Sequence, residues 1–154
     1  MSYTMTDEDV ANVRALISSA RLASIEVYEL SARRTIPTET EGVDDEGTVN
    51  IDVQSRIGDA AFGVRLISTI TAPFGEIVAS IAGEYEIEGA DMPSSRTIQL
   101  FSNEVAIMTV YPYLREAVST ITAKVFGDPL YMPVVERGQI SMEVDPDTKL
   151  TARG

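Results

Sequence analysis

Apolar and polar residues are distributed along this chain in patterns that predict a short helix, several strands and a long helix. Apolar residues recur at helical spacing over about residues 7 to 20, where Thr6 and Asp9 have the spacing of a capping box. Three later segments alternate apolar and polar residues with a period of two: 48–54, 62–71 and 76–88. We interpret these three as half-buried antiparallel strands.

An additional strand is predicted before them, in the segment 24–32 (SIEVYELSA), which is rich in strand-forming residues. Its apolar side chains fall on both faces, with Ile25 and Val27 on one and Tyr28 and Leu30 on the other. Such a strand is either central in its sheet or covered by a partner on its outer face. The segment that follows, 33–47, contains a proline, two glycines and five acidic residues, and it is predicted to be a long crossover loop.

From Ser94 onward the apolar period becomes that of a helix, which Gly127 and Pro129 are predicted to end. Pro112 lies inside this stretch, has no backbone N–H and collides with the carbonyl group of the preceding turn, at a cost of about 3 kcal/mol. We therefore expect the helix to kink or restart there. The simplest role for Tyr111 and Tyr113 is to fill the corner between the helix and the sheet.

This order of elements predicts an α+β domain, in which a long kinked helix packs on one face of a four-stranded antiparallel sheet, with a short helix at the N-terminus. Residues 1–135 are assigned to this single domain. Residues 136–154 carry no helical period and are predicted to be a polar C-terminal tail that is extended or loose.

The charge and composition of the chain exclude several classes of function. Its formal net charge is −12, which argues against nucleic-acid partners, because these require clustered Lys and Arg. It contains no cysteine and shows neither a leader pattern nor an apolar run of membrane-spanning length, so we expect a cytoplasmic protein without membrane insertion.

The chain also lacks histidine. Without histidine and cysteine, the usual general base, the usual thiol nucleophile and the usual soft metal ligands are all missing. No nucleotide-binding or nucleophile-elbow motif is present. We expect no enzyme activity, no metal and no cofactor. The catalytic alternative would use carboxylates such as Asp52 or Glu116 as an acid and base pair in a shared pocket.

The string Tyr111-Pro112-Tyr113-Leu114-Arg115-Glu116 resembles the signature at the start of the long helix in the SecB protein-export chaperones. In that family a glycine and a proline- and leucine-containing segment ending in Pro-Val follow the helix. Gly127, Pro129, Leu130, Pro133 and Val134 are similar to a shortened form of that segment. The order of a first strand, a long crossover loop and three more strands also matches.

The resemblance implies an ATP-independent holdase, a tetramer built as a dimer of dimers, which binds unfolded clients or a dedicated client peptide in long apolar grooves. Such a groove lies between the long helix, the crossover loop and the sheet. In this chain we expect client contacts from three segments: Ile36, Pro37 and Val43 of the loop, Val49, Ile51 and Val53 of the next strand, and Leu130, Tyr131 and Met132 after the helix.

Two departures from the export family affect the expected partners. The family docks the SecA motor through acidic residues that include the end of the first strand, whereas this strand ends in Arg33 and Arg34. SecA docking is therefore in doubt, although Glu84, Glu86 and Glu88 could supply acidic groups. The family's C-terminal helix is missing as well. Both departures favour a SecB-like protein outside general protein export, such as one that protects an antitoxin in a toxin–antitoxin–chaperone system.

A structural role without any client is the other alternative to a chaperone. Ile25, Val27, Tyr28 and Leu30 are predicted to form an oligomer interface, and a symmetric partner would bury them whether or not a client exists. Apolar surface that stays exposed after assembly would distinguish a chaperone from a closed structural oligomer.

Overall fold

The chain forms one antiparallel sheet with helices on one face, in a computed structural model that describes residues 3–35, 47–89 and 91–146. In chain order the elements are α1 (Asp7–Ser19), β1 (Ala20–Arg34), β2 (Thr48–Ile57), β3 (Ala61–Ala72), β4 (Gly75–Ile87), α2 (Ser95–Phe101), a π-helical turn (Ser102–Ala106) and α3 (Ile107–Phe126). The predicted α+β class, the four-stranded antiparallel sheet and the short first helix are confirmed.

The capping box predicted at the start of α1 is present. The Asp9 N–H donates to Thr6 Oγ1 at 3.1 Å, and the Thr6 N–H donates to Asp9 Oδ2 at 2.9 Å. These two bonds satisfy backbone donors that have no partner within the helix. Helix α1 therefore begins where the sequence predicts.

The strands lie in the order β1-β4-β3-β2, all antiparallel to their neighbours. This order places β1 and β2, the two strands joined by the predicted crossover, at opposite edges of the sheet. The central placement considered for the first strand is therefore wrong. As an edge strand, β1 leaves a row of backbone groups unpaired within the described chain.

Two β-bulges explain why β1 shows apolar residues at both odd and even positions. The register with β4 shifts between Leu22 and Ser24 and again between Val27 and Glu29, so the inner face changes parity twice. Val27 lies opposite Ile81 and Leu30 lies opposite Ala79, which places both on the face that meets the helices. Tyr28 is the extra residue of the second bulge, and its hydroxyl group reaches the outer face.

The core lies between the sheet and the helices, as the alternation in β3 and β4 predicts. Its buried strand residues are Phe62, Val64, Leu66, Ile70, Ile77, Ala79, Ile81, Tyr85 and Ile87. An aromatic cluster joins the two layers: the Phe62 and Tyr85 rings stack at 5.1 Å, and the edge of Phe101 from α2 meets them at 5.5 and 5.3 Å.

The expected restart of the helix at Pro112 is wrong, because α3 runs through this residue. Pro112 lies on the exposed side, where water can satisfy a carbonyl group that has lost its partner. The irregular turn occurs earlier, at Ser102–Ala106. Gly127 ends the helix as predicted, in a left-handed conformation with φ of 86°.

After Gly127 the chain turns back and runs along the helical layer in the opposite direction. Leu130 bonds to Thr122 near the end of α3, whereas Met142 bonds to Asn103 in the π-helical turn. We call residues 130–146 the strap. Its second part, 136–146, contains neither helix nor strand.

Candidate functional site

An apolar pocket of about 570 Å³ lies at the end of the sheet where β1 finishes and α3 ends. Its lining residues are Arg34, Thr35, Phe74, Phe126, Asp128, Pro129 and Leu130. The Phe74 and Phe126 rings meet edge to face at 4.9 Å, and Phe74 remains 44% exposed. The pocket therefore presents aromatic surface to solvent.

Local backbone chemistry builds this pocket. A Cβ atom at Gly75 would lie 2.2 Å from the Arg33 carbonyl oxygen and 2.7 Å from the Phe126 ring, so only glycine lets the ring approach the sheet. Arg34 Nε donates to the Val125 carbonyl oxygen at 2.7 Å. This bond places a cation at the C-terminal end of α3, where the helix dipole favours it.

The strap forms the other wall of the site, and three side chains of α3 hold its first part. Thr122 Oγ1 accepts the Leu130 N–H at 2.7 Å, Arg115 Nε donates to the Met132 carbonyl oxygen at 3.1 Å, and the Tyr111 hydroxyl group donates to the Pro133 carbonyl oxygen at 2.6 Å. Burial raises the pKa of Tyr111, so it stays a neutral donor.

These contacts give two residues of the SecB-like signature a structural role, because Tyr111 and Arg115 fix the strap to the helix. Tyr111 is 3% exposed, as the corner interpretation requires, whereas Tyr113 is 47% exposed. Glu116 accepts a hydrogen bond from Thr120 Oγ1 at 2.8 Å on the solvent side of the helix.

The predicted client-binding residues fall into exposed, half-buried and core positions. Val49 is 47% exposed and Tyr131 is 74% exposed. Ile51, Val53 and Leu130 are half-buried against the core. Met132 is 1% exposed and belongs to the core in this conformation. Ile36, Pro37 and Val43 lie outside the described residues.

Sequence reasoning missed three apolar residues near this site. Phe74 and Phe126 line the pocket, and Val134 of the strap is 81% exposed. A phenylalanine inside the Ala72–Gly75 turn was a usable signal, since tight turns rarely bury an aromatic side chain. Val134 is exposed although Leu130 and Met132, four and two residues earlier, face inward, and Val135 is half-buried instead. This change of face could not be read before the strap was placed.

The predicted interface residues of β1 divide between the two faces of the sheet. On the inner face Ile25 is half-buried, Val27 is 59% exposed and Leu30 is 38% exposed. Tyr28, on the outer face, already has partners within the chain: its hydroxyl group donates to Glu84 Oε1 at 3.1 Å, and the Arg65 guanidinium lies 4.6 Å above its ring.

The three glutamates considered for SecA docking lie close to arginines. Glu84 lies 3.4 Å from Arg56, and Arg21 pairs with Glu86 and lies 4.0 Å from Glu88. These pairs are exposed, and each contributes little to stability. They nevertheless lower the negative potential that the glutamates would present alone.

The two carboxylates considered for acid and base catalysis lie on opposite sides of the sheet. Asp52 is opposite Ile67 on the outer face of β2, whereas Glu116 lies on α3, which packs on the inner face. They do not share a pocket, so the pairing that the catalytic alternative requires is absent.

A four-stranded antiparallel sheet with this strand order, covered on one face by a long helix, is the fold of the SecB-like proteins, and comparisons with known proteins agree. The chain is 28% identical over 137 residues to the SecB-like chaperone SmegB of Mycolicibacterium smegmatis, covering 89% of this chain and 90% of SmegB. No family model matches the chain. The chain is therefore a homologue of a SecB-like chaperone, and the resemblance predicted from its helix signature is confirmed.

A solved structure gives the same fold. The SecB-like chaperone Rv1957 of Mycobacterium tuberculosis, in complex with a ChAD peptide from the Rv1956 HigA1 antitoxin, matches with a TM-score of 0.69. The match covers 84% of this chain and 99% of that one at 17% sequence identity. In the described ranges, none of the helices combines the length and apolar character needed to cross a membrane.

Proposed function

We propose that this protein is an ATP-independent holdase that keeps a dedicated, aggregation-prone client segment unfolded. The homology to a SecB-like chaperone supports a binding role without catalysis. The ChAD peptide in the Rv1957 complex comes from an antitoxin, which favours a client of that kind here. The observation that carries the proposal is the pocket at Phe74 and Phe126, which stays open to solvent beside the exposed Tyr131.

The mechanism follows from the uncovered apolar surface. An unfolded segment exposes large apolar side chains, and placing one of them in the pocket contributes about 1.5–3 kcal/mol. Several such sites on one oligomer add avidity. Ile36 and Pro37 follow directly after Thr35 at the rim of the pocket, and Val43 belongs to the same crossover segment, so we propose that the three line the same site. The net charge of −12 favours basic client segments.

The proposed assembly is a tetramer, built as a dimer of dimers, that uses the β1 edge. Val27 and Leu30 are exposed on the inner face of that edge, and the unpaired backbone groups of β1 can extend the sheet into a second copy.

We place the protein in the cytoplasm, in agreement with the absence of cysteine. SecA docking is not part of the proposal, because Glu84 and Glu86 are paired with arginines and β1 ends in Arg33 and Arg34.

The alternative without a client, a closed structural oligomer, accounts for β1 but not for the other exposed apolar residues. Tyr131 and Val134 are 74% and 81% exposed and belong to the strap rather than to the β1 edge. An interface at β1 alone leaves them uncovered, which favours the chaperone.

Binding of a permanently unfolded, fluorescein-labelled protein, measured by anisotropy, tests the site. Phe74→Asp is expected to weaken binding at least tenfold, because it puts a charge where an apolar client side chain is to be buried. Ile17→Asp is the matched control, since Ile17 is 50% exposed on α1, and α1 contacts the sheet at the opposite end, near Ile87. Equal affinities of the two variants, with unchanged mass and circular dichroism, would exclude the pocket as the client site.

A further inference from the structure

The second part of the strap lies in a groove of the helical layer, and the hydrogen bonds that join the two all go to the strap backbone; the Arg137 side chain adds one exposed ion pair, 3.5 Å from Glu104. Asn103 Nδ2 donates to the Met142 carbonyl oxygen at 3.1 Å, and Asn103 Oδ1 accepts the Met142 N–H at 2.8 Å. Gln99 Oε1 accepts the Asp145 N–H at 2.6 Å, and Arg96 donates to the Asp145 carbonyl oxygen. Such contacts accept almost any residue type except proline at the donor positions.

The groove itself is firmly built. Asn103 is 1% exposed and lies in the π-helical turn, a type of irregularity that is frequent at functional sites. Arg96 forms a bidentate ion pair with Asp9, in which Nε donates to Oδ1 at 3.0 Å and Nη2 donates to Oδ2 at 2.8 Å. The groups that bind the strap are therefore held in place by the body of the protein.

This part of the strap, by contrast, is held by polar contacts rather than by apolar burial. Residues 136–146 include no buried residue, whereas the first part contains Met132 at 1% exposure. Segments with few buried apolar contacts open locally at low free energy. The second part can therefore leave the groove while the first part stays bound.

Opening this segment removes the protein partners of the Asn103 amide, which then has to be satisfied by water or by another chain. The backbone of another extended chain can satisfy the same groups. The apolar residues of the bound segment, Ile140, Met142 and Val144, are half-buried at every second position, which is the spacing of a β-strand with one apolar face; Ser141 is half-buried as well. Segments of that pattern are prone to aggregate when they are exposed.

We propose that the flank of α2 and the π-helical turn, at Arg96, Gln99 and Asn103, binds an extended client segment with apolar residues at every second position, and that residues 139–146 occupy this site in cis. The identity of the occupant rests on the proposed function, because a folded partner has its backbone already paired. The strap then acts as a built-in competitor that a client has to displace.

The test is the binding of a fluorescein-labelled peptide with the sequence of residues 137–146, RGQISMEVDP, to the full chain. Met142→Pro removes the N–H that Asn103 accepts and leaves the groove unchanged. A tethered competitor acts at an effective concentration of about millimolar, so releasing it is expected to tighten peptide binding at least tenfold. Adding Asn103→Leu to this variant is expected to abolish the gain.

Glu143→Pro is the matched control, since Glu143 is exposed and its N–H makes no hydrogen bond within the described ranges. It should bind the peptide as weakly as the unaltered chain. If Met142→Pro unfolds, Ile140→Ser replaces it, because Ile140 packs against the core only in part. Equal peptide affinity of all these proteins would overturn the inference.

An unfolded, carboxymethylated client protein should displace the bound peptide from Met142→Pro; failure to displace it would overturn the assignment of the occupant. The proposed function is scored separately, by suppression of aggregation with the unaltered chain. If the unaltered chain suppresses aggregation but Met142→Pro gains no peptide affinity, this inference is wrong and the proposed holdase function stands. If Met142→Pro gains peptide affinity but none of the proteins suppresses aggregation, the peptide site stands and the proposed holdase function is wrong.

Discussion

Ser68 is fully buried on the inner face of β3, and its hydroxyl group has no hydrogen-bond partner in the described part of the chain. It lies opposite Ala79, between Leu66 and Ile70, where the alternation of the strand calls for an apolar side chain. A buried hydroxyl group without a partner is destabilising, because it loses its bonds to water and gains none in return.

Ser68→Ala is expected to raise the free energy of unfolding by about 1 kcal/mol, since it removes the unsatisfied oxygen and leaves only a small cavity. Urea unfolding at a fixed protomer concentration measures the difference.

Ser80→Ala is the matched control, because Ser80 is equally buried but accepts a hydrogen bond from Arg65 Nε. It should lower the free energy of unfolding by about 1 kcal/mol. A destabilisation of similar size in both variants would mean that Ser68 has a partner after all.

Among the elements, α1 is joined to the helical layer by a buried ion pair as well as by its buried residues Val13 and Leu16. Asp9 caps its own helix and pairs with Arg96 of α2, and their side chains are 7% and 17% exposed. Hydrogen bonds from Arg96 lower the pKa of Asp9 from its usual value of 3.8 to about 2. Ionised Asp9 is therefore favoured in the folded state.

Asp9→Asn is expected to lower the free energy of unfolding at pH 7 by about 2 kcal/mol, the free energy that corresponds to this pKa shift, because it removes the carboxylate that pairs with Arg96. Asp7→Asn, an exposed change in the same helical turn, should have an effect within about 0.5 kcal/mol.

The pH dependence has a definite sign, because the pKa of Asp9 is lower in the folded chain. Its contribution is complete above about pH 4 and is lost as the pH falls toward 2. The difference in the free energy of unfolding between the unaltered chain and Asp9→Asn should therefore decrease as the pH falls over that range. A gap that stays constant from pH 7 to pH 2.5 would contradict the role of the ionised carboxylate.

The features of the elements that depend on residues close together in the chain could be predicted from the sequence. The Thr6 and Asp9 capping box, the alternation in β3 and β4, and the Gly127 cap all depend on residues close together in the chain, and each was predictable. The two bulges in β1 were not, because a residue without a partner looks like a second apolar face until the register with β4 is known.

The site was predictable only in part, for a related reason. The signature residues Tyr111 and Arg115 were found, but their role required knowledge of where the chain goes after Gly127. The strap has no periodic pattern before it is placed, so the burial of Met132 beside the exposed Tyr131 could not be read from the sequence. Long-range packing sets this contrast, not local propensity.

For the whole molecule, two of the places where apolar residues are exposed in the described ranges suit the two proposed roles. The β1 edge, with Val27 and Leu30, suits a second copy of the chain, whereas the pocket at Phe74 and the strap at Tyr131 suit a client. A holdase needs both, since assembly supplies avidity and the uncovered surface supplies binding.

The most direct test of the holdase is to dilute a chemically unfolded, slow-folding protein into buffer with and without this chain, in the absence of nucleotide. Light scattering follows aggregation, and multi-angle scattering gives the mass of any complex. We predict suppressed aggregation and a stable complex of one client with a tetramer. Unchanged aggregation, both with this general client and with an antitoxin-derived segment, would contradict the proposed function.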